Sequence, residues 1–193
     1  MNYLYWKVYR GERVCKLGGL QNIEDEYELA RGISRMERWP EDACYYMDKK
    51  RKEDIRLEDC LWNIDSLLVI SSKLKEFLEK ENLKNNEYLP LTIFNHKDRP
   101  TKESYFIVNQ IHLQDCIDQK KSKYDINDID PWQFSEMGKL VIDEKKIEPE
   151  VALFRMNHYP YLPIIRRDLA KKITSAGFTG IRFGEIETYD EGV

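Results

Sequence analysis

Apolar and polar positions alternate through "YLYWKVY" (3–9), which places Leu4, Trp6 and Val8 on one face of a predicted strand. The period changes in "SLLVISSKLKEFLEKENL" (66–83). Leu67 to Ile70 form an unbroken apolar run suited to a buried strand. Leu74, Phe77 and Leu78 then recur at helical spacing. Between the two, Ser71 or Ser72 supplies an N-cap, because a serine oxygen accepts from the free amides of a first helical turn. Next come two strand runs, "EYLPLTIF" (87–94) and "SYFIVNQI" (104–111), flanking the polar stretch "NHKDRPTKE". They predict an antiparallel hairpin with a long connection. Pro90 cannot donate to a ladder, so the first strand is expected at an edge or with a bulge.

Elsewhere the pattern is less regular. "EDEYELARGISRMERWP" (24–40) opens with acids that suit a helix start, but Gly32 and Pro40 interrupt it. "DKKRKED" (48–54) reads as a charged, exposed connection, and "DQKKSKYDINDIDPWQF" (118–134) as a polar loop. "GKLVID" and "VALFRM" predict later strands.

The segment "IIRRDLAKKITSAGFTGIRFGEI" (164–186) repeats the strand–helix–strand pattern of the 66–94 region. A shift of 95 residues puts Val69 on Ile164, Leu74 on Leu169, Leu78 on Ile173 and Leu83 on Phe178. Two readings fit: an internal duplication, or two uses of one common pattern. Under the same shift Gly177 falls on Asn82, and these two residue types best tolerate the left-handed conformation that ends a helix. Gly177 is thus expected to stop a helix. A phosphate cradle would place its glycines before the helix instead. The expected fold is α+β, a mainly antiparallel sheet with two principal helices at 72–81 and 167–176. It forms one domain over 1–193, with 1–40 as an N-terminal subregion and 41–193 as the core.

Hydrophobic residues are 41% of the 193 and aromatics 12%, enough for a packed core. The net charge of −4 argues against nucleic acid as the main partner, since phosphate binding requires a basic footprint. The basic runs at 49–52, 120–123 and 164–167 each have acids close by. No apolar run approaches the roughly 20 residues a membrane span requires. The first residues also lack the apolar centre of a signal peptide, so a cytoplasmic location is expected.

Candidate chemistry is sparse. Cys15, Cys44, Cys60 and Cys116 are separated by 29, 16 and 56 residues, and His96, His112 and His158 are equally scattered. Metal ligands usually sit close along the chain, so reduced core thiols are expected, with no metal or cofactor. Ser104, Ser122, Ser135 and Ser175 lack a nucleophile-turn context. Cys116 lies in "LQDCIDQ", where the flanking acids raise a thiol pKa. "DINDID" lacks the glycine and terminal glutamate of a calcium loop. Enzymatic activity is not expected.

The ordered set "RWPEDACYYMD", "DCLWNIDSLLVISSKLKEFLE", "EYLPLTIFN", "YFIVNQIHLQDCIDQKKSKYD", "LFRM" and "IIRRDLAKKITSAGFTGIRFGEI" resembles the bacterial polymorphic-toxin immunity proteins of immunity protein family eleven, over about 36–190. That resemblance implies an intracellular antidote that binds a cognate protein toxin stoichiometrically. A non-catalytic adaptor or regulatory protein for another macromolecule is the alternative. The acids point to a surface for such binding. "YDINDIDPW" sets Asp125, Asp128 and Asp130 before Trp132, and the C-terminal stretch adds Glu185, Glu187 and Asp190. An acidic surface with an aromatic anchor suits the basic cleft of a toxin that degrades nucleic acid.

Overall fold

The computed structural model describes residues 1–189. In chain order its elements are β1 (Tyr3–Val8), α1 (Tyr27–Ala30), β2 (Cys44–Tyr46), β3 (Cys60–Leu61), β4 (Val69–Ser71) and α2 (Ser72–Lys80). There follow β5 (Asn86–Phe94), β6 (Tyr105–Gln110), β7 (Lys123–Ile126), β8 (Phe134–Lys139), β9 (Leu153–Met156), β10 (Tyr159–Arg166), α3 (Arg167–Ser175) and β11 (Ile181–Glu185). The strands form a five-stranded sheet in the order β2-β5-β6-β4-β3, a four-stranded sheet in the order β11-β1-β10-β9, and the two-stranded ribbon β7-β8. Every strand pairing is antiparallel except β2 with β5. The fold is therefore α+β and mostly antiparallel, with two sheets where the sequence suggested one.

The 95-residue shift is a structural equivalence. It carries α2 onto α3 end for end, and the last residues of β4 onto those of β10. Leu74 and Leu78 are buried, as are their counterparts Leu169 and Ile173. Asn82 (φ 50°) and Gly177 (φ 74°) both take the left-handed conformation that stops the helix. The strand between the two parallel members comes from different places. In one sheet β6 lies between β5 and β4, whereas in the other the N-terminal strand β1 lies between β11 and β10. Contacts between the halves are reciprocal. Phe77 meets Phe178 edge to face at 5.1 Å, and Lys172, which stands in Phe77's position, pairs with Glu81. The one difference in capping follows the sequence: Ser71 Oγ accepts from the Leu74 amide at 3.2 Å, while Arg166 at the equivalent place gives no side-chain cap.

Alternation along the strands sorts the core into layers. Ile70, Val108, Leu4, Trp6, Leu153 and Ile165 face both helices in a shared central cluster. Val69, Ile107, Leu89 and Leu91 face the opposite way, where Val14, Leu17, Leu20 and Leu29 cover the five-stranded sheet. Tyr3, Phe154 and Ile164 face Phe134, Met137, Leu140 and Ile147 on the far side of the four-stranded sheet. Leu4, Trp6 and Val8 share one face as the pattern predicted. Burial of Tyr3 behind them shows that the strand is covered on both sides. Pro90 lies in the half of β5 that pairs β6 alone, before its pairing with β2 begins at Thr92, so its missing donor faces the side of β5 that has no strand there. Its carbonyl accepts from Trp39 Nε1 at 2.7 Å.

Two expectations are corrected. The 118–134 segment is not all loop, because β7 occupies Lys123–Ile126 and pairs β8. Only Tyr124 of that strand offers an apolar ring to the core, stacked on Phe134 at 3.8 Å, so the strand carries almost no apolar alternation. The later strand predicted from "GKLVID" starts at Phe134 and ends at Lys139. Ile142 is left to a single bridge with Ile117.

Candidate protein-binding surface

The β7–β8 turn is held by its own side chains. Asn127 Oδ1 accepts from the amides of Ile129 (2.9 Å) and Asp130 (3.0 Å). Asp130 Oδ1 accepts from the Trp132 amide at 3.2 Å, and the Asn127 amide donates to the Gln133 carbonyl at 2.9 Å. The turn is also clamped from outside. Arg31, just after α1, donates to Asp130 Oδ2 at 2.6 Å, and its guanidinium lies 4.0 Å over the Trp132 ring. His158 Nδ1 stands 2.6 Å from the Trp132 carbonyl.

This geometry divides the residues the sequence singled out. Asp125 and Asp128 are exposed on the ribbon and its turn. Asp130 and Trp132 are half-buried and committed to Arg31, so they shape the turn more than they present it. At the tip stands Ile129, 96% exposed, with Ile126 on the adjoining strand at 58%. An isolated isoleucine between two aspartates in a polar turn was the available signal for this residue, and the aromatic nearby drew attention away from it. Glu185 is paired with Arg167 through two parallel bonds of 2.8 and 2.6 Å. The Arg167 bonds hold its carboxyl below the usual carboxylate range. Glu187 is exposed, and Asp190 lies outside the described residues. The ion pair of Glu185 is with Arg167, on α3, and not with the β7–β8 turn.

Members of the basic runs pair with acids close by. Lys49 pairs with Asp98, Arg51 with Asp48 and Asp54, Lys121 with Asp118, and Arg166 with Asp168. The N-terminal acids are also partly spent. Glu28 accepts from Arg35 and Arg38, and the Arg35 bond above all lowers its pKa.

Catalytic chemistry finds little support. All four cysteines are free and buried. Burial pushes the thiols of Cys15, Cys60 and Cys116 up to about 12, and Asp115 adds to the rise at Cys116. Such thiols are poor nucleophiles. Ser122 Oγ is occupied by the Val141 backbone, donating to its carbonyl (3.2 Å) and accepting from its amide (3.0 Å). No cluster of three metal-ligating side chains occurs among the described residues. No helix among them is long and apolar enough to cross a membrane.

A cleft of about 790 Å³ lies elsewhere. Tyr5, Tyr9, Trp62, Tyr159 and Tyr161 line it, with Lys7, Arg10 and Arg182. Sequence reasoning missed it because these residues come from four separate stretches of chain.

The model of the Immunity protein family (Imm11) matches residues 20–188. That span takes in residues 20–35, which precede the stretch whose motifs carry the resemblance. No curated protein matches the chain.

Proposed function

The chain belongs to the Imm11 immunity protein family, and we propose that it protects its cell by binding a cognate protein toxin one to one in the cytoplasm, without turnover. The family match over nearly the whole chain carries this reading. Buried, protonated thiols and backbone-bound Ser122 are consistent with a binding role.

The contact surface we assign is the β7–β8 turn. Asp125 and Asp128 supply negative charge that steers encounter with a basic toxin cleft, and Ile129 inserts as the apolar anchor. Asp130 and Trp132 hold that tip in shape through Arg31. A turn already fixed by internal bonds loses little conformational entropy on binding, which favours affinity. Glu185, Glu187 and Asp190 form a second acidic region whose participation is tested alongside.

The test is co-expression with the product of the adjacent gene as the candidate toxin, followed by co-purification and mass measurement of the complex. Protection together with a one-to-one complex supports the reading. Failure of the pair to associate, with cells still killed, overturns it.

A further inference from the structure

We propose that the aromatic cleft beside β1 binds an acidic, extended peptide segment of a partner protein. The identity of that partner as the toxin rests on the immunity reading above; the chemistry of the cleft does not.

The cleft exists because two ladders end at different places. β1 pairs β11 from Leu4 through Val8, but it pairs β10 only as far as Tyr5 opposite Ile164. The next residue of β10 is Pro163, which has no N–H to extend the ladder. The β9–β10 register also shifts between Tyr159 and Pro163. The β1–β10 ladder ends there, and the cleft beside it is lined by Tyr5, Tyr159, Tyr161 and Trp62.

The rim of this cleft is cationic. Arg10 lies 4.1 Å over the Trp62 ring and Arg182 lies 3.8 Å over the Tyr9 ring. Both are exposed, and neither has a carboxylate partner among the described residues. Lys7 stands directly opposite Arg182 in the β1–β11 register. No Asp or Glu occurs among the described lining residues, in a chain whose net charge is −4. Stacking fixes a guanidinium plane while leaving its N–H edge open, which suits in-plane recognition of a carboxylate.

Main-chain geometry favours a peptide over nucleic acid. The Tyr9 amide donates to Gly180 on the β11 side, so alternation turns the main-chain groups of Val8 toward the cleft. An extended peptide can meet such groups with its own backbone while its acids reach Arg10 and Arg182 and its apolar side chains meet the tyrosines. A short cationic rim on an acidic protein cannot track a phosphate backbone.

The experiment uses the full chain and a fluorescein-labelled peptide of alternating Glu and Val, read by anisotropy. The controls are the Lys and Val counterpart and a short oligothymidylate. The acidic peptide should bind saturably and more weakly as salt rises. Its affinity should fall at least about tenfold in the Arg10→Gln, Arg182→Gln double variant. Lys171→Gln, at an exposed α3 position that does not line the cleft, should leave it unchanged. Both arginines are exposed, so the double variant should keep the parent's melting temperature. No saturable binding, equal binding by the double variant, or tighter binding of the oligothymidylate would each overturn the proposal. Protection from the toxin by the parent chain tests the immunity reading separately, so either can fail alone.

Discussion

The Arg31 guanidinium meets the Asp130 carboxylate at 2.6 Å, joining the chain just after α1 to a turn 99 residues further on. The pair is one-third exposed on both sides, so its Coulomb contribution is screened and small. Its effect is positional. Arg31→Ala should change global stability by less than about 1 kcal/mol. It should also speed hydrogen exchange at the Ile129 and Asp130 amides and raise the toxin off-rate. Unchanged exchange at both amides would show that the turn holds itself without the clamp.

The proposed interface separates charge from anchoring. Asp125→Asn with Asp128→Asn should slow association, most visibly at low salt, since exposed charges are screened beyond roughly 8–10 Å at physiological ionic strength. Ile129→Ala should raise the off-rate instead. It should leave the melting temperature within experimental error, because the side chain is 96% exposed. Surface plasmon resonance on the purified pair separates the two rates. Full affinity in the triple variant would remove this turn from the interface.

The two glycines after α3 differ in a way denaturant titration can read. At Gly177 a Cβ would meet nothing within 4 Å, so Gly177→Ala should cost only the left-handed strain, about 1–2 kcal/mol. At Gly180, also left-handed at φ 78°, the Cβ would lie 2.1 Å from the Cys60 carbonyl oxygen. Gly180→Ala must therefore displace β3 as well as strain the backbone and should cost at least about 3 kcal/mol. Equal losses at both positions would contradict this packing.

Truncating Leu74 or its counterpart Leu169 to alanine should cost about 2–5 kcal/mol, since both are buried in the shared central cluster. Removing both thins the same cluster from its two helices. The double variant should depart from additivity by more than about 0.5 kcal/mol.

Stability should also respond to acid through Glu28. Its folded pKa is depressed by the Arg35 bond first and then by Arg38. A depressed carboxylate contributes stability that is present above its unfolded pKa and is lost as pH falls through the lower folded value. Unfolding free energy should therefore drop below the ordinary carboxylate range, and Glu28→Gln should flatten that part of the profile. A Gln variant with the parent's acid profile would show that the loss arises elsewhere.

What the sequence determined was local. The strand–helix–strand units at 69–94 and 164–185 were legible because their signals lie within a turn or two: the apolar spacing of Leu74 and Leu78, the Ser71 cap, and the stops at Asn82 and Gly177. The 95-residue shift could be read for the same reason. The acids of the β7–β8 turn were visible as composition, but which of them is presented was not. Asp130 and Trp132 are committed by Arg31, and nothing near them in the chain announces an arginine 99 positions away. Tertiary structure alone decided that β1, from the far N-terminus, fills in one sheet the place that β6 fills in the other. It also decided where the β1–β10 ladder stops, and so where the cleft opens. Both outcomes depend on pairing between segments some 160 positions apart. Such pairing is selected by the burial of whole sheet faces, and no short stretch of sequence encodes it.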